Sequence, residues 1–160
     1  MEKFGRSQPV KRVEDVRLVS GRGGYVDDIT PAGALFAYLL RSPVAHATIT
    51  TLNLEEARAA EGVHLVAGID DLKAAGLTEG LSATLVATRD GGKGANPRYP
   101  LLAEGKLRFV GEAVALIVAE SLTAARDAAE MIELDYDDLE VEVVPGSGNA
   151  DLHDDVPGNR

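Results

Sequence analysis

Seven consecutive apolar residues, Ala113–Ala119 (AVALIVA), constrain the fold of this 160-residue chain more than any other feature. A run with no polar position has no solvent face, so it reads as a strand covered on both sides. Alternation then points Val114, Leu116 and Val118 toward one layer and Ala115 and Ile117 toward the other. The run is far too short for the roughly 20 residues that span a bilayer as a helix. Ser121 follows at the position of a helix N-cap. Behind it Leu122, Ala125, Ala129 and Ile132 recur at helical spacing and form one apolar stripe. The alanines on that stripe allow the helix to approach a sheet closely.

The rest of the chain supplies further strands. Residues 34–40 (ALFAYLL), 47–52 (ATITTL), Val63–Ala67, 106–110, and the stretches IELDYDD and VEVV all read as strands. Asn53 is placed to cap a short helix, with Glu56 completing a capping-box pair. Residues 54–72 and 122–139 share Leu-x-x-Ala-Arg, a later Glu, a strand and Asp-Asp-Leu. That echo suggests two strand–helix–strand units, although chance similarity would look the same. Aromatic residues are 4% of the chain and Trp is absent, so the core is built from Ala, Val, Leu and Ile. The expected fold is α+β, a mixed sheet with two main helices and a long variable loop over residues 76–105. Residues 1–24 read as an extended arm, 25–145 as the domain, and 146–160 as a linker.

RLVSGRGGYVDD (17–28) looks at first like a phosphate cradle. Gly21, Gly23 and Gly24 fit neither phosphate-loop spacing, and Asp27 and Asp28 would repel a phosphate. A turn is the simpler reading. The second cluster, Gly91, Gly92, Lys93 and Gly94, has no Ser or Thr after its lysine and reads as surface. His46, His64 and His153 fall in separate segments without metal-ligand spacing. Ser20 and Ser42 have no histidine nearby in sequence, and DYDDLE lacks the oxygen ligand and glycine of a calcium loop. Glu112 is the carboxylate best placed for chemistry, yet a solvated or backbone-capping role suits it better. With no cysteine, a thiolate metal site or iron–sulfur cluster is excluded within this chain. No catalytic, cofactor-binding or metal-binding residue is therefore assigned.

The formal net charge is −10, and ten carboxylates within residues 130–155, with no Lys or Arg among them, account for all of it. The remainder balances at sixteen acidic and sixteen basic residues, which argues against a nucleic-acid partner. The acidic stretch reads as a solvated edge; the alternative is a stand-alone module that binds a cation or a basic protein. No signal-peptide pattern or membrane span is visible, and a cytoplasmic protein is the simplest expectation.

Four stretches carry a family resemblance. Residues 8–29 (QPVKRVEDVRLVSGRGGYVDDI), 41–49 (RSPVAHATI), 100–121 (PLLAEGKLRFVGEAVALIVAES) and 124–145 (AARDAAEMIELDYDDLEVEVVP) occur in the right order. Together they resemble the start of the molybdenum-bearing large subunit of the xanthine dehydrogenase / aldehyde oxidase / carbon monoxide dehydrogenase family. Ala113 departs from a frequent proline and Val44 from a larger residue. The start at Met1 resembles the form in which the large subunit is a separate polypeptide, and residues 153–159 resemble the linker to its next domain. The resemblance implies an α/β-hammerhead domain belonging to a longer subunit, structural in role. It also implies, for the parent enzyme, a molybdenum–pterin cofactor in the large subunit and [2Fe–2S] and FAD groups in partner subunits. There a water-derived oxygen enters a C–H bond or carbon monoxide is oxidised. The family's cofactor loops and catalytic glutamate match nothing in this chain.

Overall fold

The computed structural model describes residues 11–77, 80, 87–92, 94, 96–144, 151–153 and 156. Residues 1–10 of the expected arm, the QPV that opens the first family stretch, and most of the expected linker lie outside them. Two compact units are present, Met1–Ala34 and Leu35–Arg160.

In the first unit, α1 (Asp15–Val19) closes a helical turn where an extended arm was expected. Gly21, at φ +69°, terminates it. Its N–H donates to Leu18 O at 3.2 Å and that of Arg22 to Arg17 O at 2.9 Å. These are the two bonds of a Schellman cap, which needs a residue with positive φ just past the helix end. The first glycine of SGRGG is thus a helix stop. Val13, Val16 and Val19 stay exposed.

The second unit runs β1 (Phe36–Arg41), β2 (Ala47–Asn53), α2 (Glu55–Arg58), β3 (Val63–Ala67), α3 (Ile69–Ala74), β4 (Lys106–Leu107), β5 (Ala113–Ala119), α4 (Leu122–Glu130) and β6 (Glu133–Asp138). It forms two three-stranded sheets, ordered β1-β5-β3 and β4-β2-β6, in which every pairing is antiparallel. The expected α+β class holds, and the expected mixed sheet is corrected to two antiparallel ones. Only nine residues separate β2 from β3, short of the dozen or so that a parallel crossover within one sheet requires. The chain instead changes sheet: β2-α2-β3 crosses one way and β5-α4-β6 crosses back. The pairing is reciprocal. Asn53, last in β2, faces Glu133, first in β6, and Ala119, last in β5, faces Val63, first in β3. The repeated Leu-x-x-Ala-Arg segments thus belong to the two crossovers between the sheets.

Ala115, Ile117 and Ala119 lie under the helices in one core with Ala57, Ala125, Ala128, Ala129 and Ile132. Val114 belongs to a second core between the sheets with Ala47, Ala103 and Leu107. Leu116 and Val118 are only half-buried, so the second face of β5 is covered at one end, not along its length. On α4 the buried stripe is Ala125, Ala128 and Ala129, with Ile132 buried just past its end, and Leu122 is exposed. Ser121 caps that helix as expected, its Oγ accepting from Ala124 N at 3.0 Å. Asn53 Oδ1 accepts from Glu55 N at 3.1 Å, but α2 starts at Glu55 and its N-cap is Leu54. The capping box with Glu56 therefore does not form. Arg58 ties α2 to α3 through both oxygens of Asp71, each at 2.8 Å.

VEVV is not a strand: Asp138 already faces Ala47, the first residue of β2, and among the described residues no further strand lies alongside residues 141–144. The expected strand over residues 106–110 shortens to two residues. A side chain takes its next amide, as described below.

Candidate functional site

Among the described residues the buried polar side chains are Ser42, His46 and Glu112, and they belong to two of the family-like stretches. Glu112 sits between β4 and β5. Its Oε2 accepts from Arg108 N at 2.6 Å, and its Oε1 lies 3.6 Å from the Arg108 guanidinium. That bond draws the Arg108 amide out of the β4 ladder. The main chain of the same turn locks onto the end of β1. Ser42 N donates to Glu112 O at 2.8 Å and Gly111 N to Ser42 O at 2.9 Å. Arg41 Nη1 donates to Gly111 O at 2.8 Å. Gly111 holds φ +89° at this contact, a conformation that L side chains rarely adopt. Of the two roles expected for Glu112, backbone capping is the one observed, in a buried setting.

The serines are committed to their own backbone. Ser42 Oγ donates to Val44 O at 2.7 Å and Ser20 Oγ to Val16 O at 2.6 Å. His46 Nδ1 lies 2.6 Å from Glu140 O. A carbonyl can only accept, so Nδ1 carries the proton. Leu139 N donates to His46 O, so the lock also reaches the fourth family-like stretch. His46 Nε2 is buried with no hydrogen-bond partner among the described residues. His64 pairs with Glu120 at 3.5 Å on the surface. His153 lines a separate pocket. The three histidines do not converge, and no three His, Cys, Asp or Glu side chains among the described residues could hold a metal together.

The pocket at His153 was not foreseen. It encloses about 510 Å³, and its charged lining is Arg98, Glu104, Lys106 and Arg108. Glu104 bridges Lys73 at 2.6 Å and Arg98 at 2.8 Å. The Lys73 hydrogen bond, helped by Arg98, holds its carboxyl below the usual range against the opposing effect of burial. The same bond holds the Lys73 ammonium above its usual value. A sequence signal existed: in EGKLR, residues 104, 106 and 108 alternate as Glu, Lys and Arg, which places three charges on one side of an extended chain.

The acidic stretch alternates too. Glu133, Asp135 and Asp137 are exposed along β6, while Leu134 and Tyr136 pack inward. β6 is an edge strand, and charge on an edge discourages pairing with another chain. Gly91 and Gly92 of the second glycine cluster form a tight turn closed by bonds between Thr88 and both glycines; Lys93 lies outside the described residues.

The family model described as "Aldehyde oxidase and xanthine dehydrogenase, a/b hammerhead domain" matches residues 20–140. The nicotine 6-hydroxylase large subunit of Paenarthrobacter nicotinovorans is 42% identical over 136 residues, which is 85% of this chain and 16% of that protein. The carbon monoxide dehydrogenase large chain of Afipia carboxidovorans is 38% identical over 135 residues, 84% of this chain and 15% of its own length. Among solved structures, quinoline 2-oxidoreductase from Pseudomonas putida 86 superposes with a TM-score of 0.73 at 42% identity, covering 82% of this chain and 16% of that one. The chain thus spans less than a fifth of the length of the relatives it matches.

Proposed function

Because this chain belongs to the aldehyde oxidase and xanthine dehydrogenase a/b hammerhead family, we propose that it is a structural and assembly domain of a molybdenum hydroxylase large subunit, with no catalytic residue of its own. The observation that carries this reading is the fate of the buried polar groups. Glu112 and Ser42 are both spent on fastening backbone, and His46 is anchored by the Glu140 carbonyl. Side chains committed in this way set the shape of a domain, and the one ring nitrogen left over, His46 Nε2, is buried away from any substrate.

The surface supports the same reading. Tyr99 and Phe109 stack with ring centroids 6.2 Å apart, and both are exposed, as are the nearby Leu101 and Val110. Val13, Val16 and Val19 are exposed as well. In the proposed assembly these side chains are covered by other parts of the large subunit, since apolar surface of this kind seeks burial. The molybdenum–pterin cofactor is held elsewhere in that subunit, and electrons pass to [2Fe–2S] and FAD groups in cytoplasmic partner subunits. When bound, that cofactor supplies oxygen transfer from water to substrate; this chain contributes the scaffold around it.

The test is to express the remainder of the large subunit with and without this chain. Molybdenum bound per polypeptide and substrate-dependent dye reduction should both require its presence, and the chain alone should show neither. Stoichiometric molybdenum on the isolated chain, or full activity of the remainder without it, would reject the assembly role.

A further inference from the structure

We propose that the pocket lined by Arg98, Lys106 and Arg108 is a binding site for a phosphate-type oxyanion, independently of the assembly role. Its volume of about 510 Å³ lies within the roughly 300–1,000 Å³ typical of small-ligand sites. Three cations and one carboxylate, Glu104, line it. That carboxylate is already neutralised by Lys73 at 2.6 Å and Arg98 at 2.8 Å, so it does not repel an anion. Behind the wall Glu112 offsets part of the Arg108 charge at 3.6 Å. With Lys73 and Glu112 cancelling each other, the lining retains two positive charges in excess, which a dianion would match.

Each of the three cations also keeps uncommitted donors. Among the described residues the Lys106 ammonium has no ion-pair or hydrogen-bond partner. The Arg108 guanidinium uses Nη1 for Lys106 O at 3.2 Å and for Glu112, and Nη2 makes no bond there. Among the described residues Arg98 likewise bonds only through Nη1. Fixed guanidinium forks beside an ammonium suit the several acceptor oxygens of a tetrahedral anion. General basicity does not account for such a pocket, because the chain as a whole carries a net charge of −10.

Backbone amide NMR on the 160-residue chain, titrated with inorganic phosphate against sodium chloride at matched ionic strength, tests the site. Saturable shifts at Gly105, Lys106 and Arg108 are expected with phosphate and absent with chloride. Lys106→Gln should weaken binding about tenfold or more, as loss of a charge-assisted contact implies, and Lys106→Arg should largely retain it. Arg98→Gln is a second variant that leaves Glu104 paired with Lys73. A simple phosphate monoester titrated in parallel separates the source: equal affinity indicates the free ion, and tighter binding indicates a phosphoryl group on a larger molecule. Asp154 and Asp155 follow His153 in sequence. If phosphate binds only after both are changed to Asn, the chain's own carboxylates fill the pocket and the proposal falls. It also falls if the shifts do not saturate, if chloride reproduces them, or if Lys106→Gln binds as well as the parent.

Discussion

Truncating Ile117 to Ala should remove a large part of this domain's stability. Ile117 is fully buried under the helices. The change deletes three carbons, and at about 0.8 kcal/mol each the transfer loss alone is roughly 2.4 kcal/mol. A cavity cost adds to it, on the order of 24 cal/mol for each Å³ that the structure fails to close. Closure is hard here, because the same core is formed by Ala115, Ala119, Ala125, Ala128 and Ala129, side chains too short to swing into a gap. The expected loss is therefore in the upper part of the usual 2–5 kcal/mol range. Leu116→Ala is the internal control. It deletes as many carbons from the neighbouring residue, but that side chain is half-buried on the other face, so its cost should be smaller by at least ~1 kcal/mol. Urea unfolding of the three proteins, with the m-value unchanged, gives both numbers. A loss below ~2 kcal/mol for Ile117→Ala, or an equal or larger one for Leu116→Ala, would refute the assignment of the two faces.

Ser121→Ala should cost about 1 kcal/mol by leaving the Ala124 amide without its cap; an unchanged unfolding midpoint would show that the cap contributes nothing. Glu112→Gln should cost about 2–4 kcal/mol, because it strands the Arg108 guanidinium in a largely desolvated place. Adding Arg108→Met should recover part of that loss, and strict additivity in the double-mutant cycle would disprove the coupling. Glu104 has a folded pKa lowered below its ordinary 4.5, so its contribution is present above that value and is lost as pH falls through the folded pKa. Lys73 is raised above 10.5, so its contribution is present below that value and is lost as pH rises through the folded pKa. The stability difference between the parent and Glu104→Gln should accordingly be widest near neutrality and close at both extremes, as unfolding at a series of pH values would show. A difference that does not change with pH would mean the triad is not coupled to folding.

Much of the fold was legible because local signals carried it. β3 and β5 have the limits read from the sequence, since Gly68 ends one run and Gly111 and Ser121 bracket the other. The start of α4 follows from its cap. What failed was long-range. Sequence patterns identify strands but not their neighbours, and a single mixed sheet became two antiparallel ones because the β2-to-β3 connection is too short to return to its own sheet. VEVV has an alternating pattern and strong strand formers, yet β2 has no residue left to pair with it. Propensity cannot make a strand without a partner.

The site was legible in identity and hidden in geometry, and one cause accounts for both. Glu112 stood out because a carboxylate before a buried strand is costly unless it is paired. Its partner is the amide of Arg108, four residues earlier, a bond that exists only because Gly111 turns the chain back on itself. Arg41 and Ser42, some seventy residues away, complete the lock through main-chain atoms. Main-chain donors and acceptors are the same in every residue, so sequence inspection cannot see them. The pocket cations differ, because they act through side chains. Their alternation in residues 104–108 is visible in the sequence, but a strand pattern does not show which of these charges finds a partner. A charged face on a short strand covered on its other side by Leu107 has to meet either solvent or an opposite charge. Glu104 has met Lys73 and Arg98, while Lys106 has met nothing among the described residues, and this asymmetry is what makes the pocket a place for an anion.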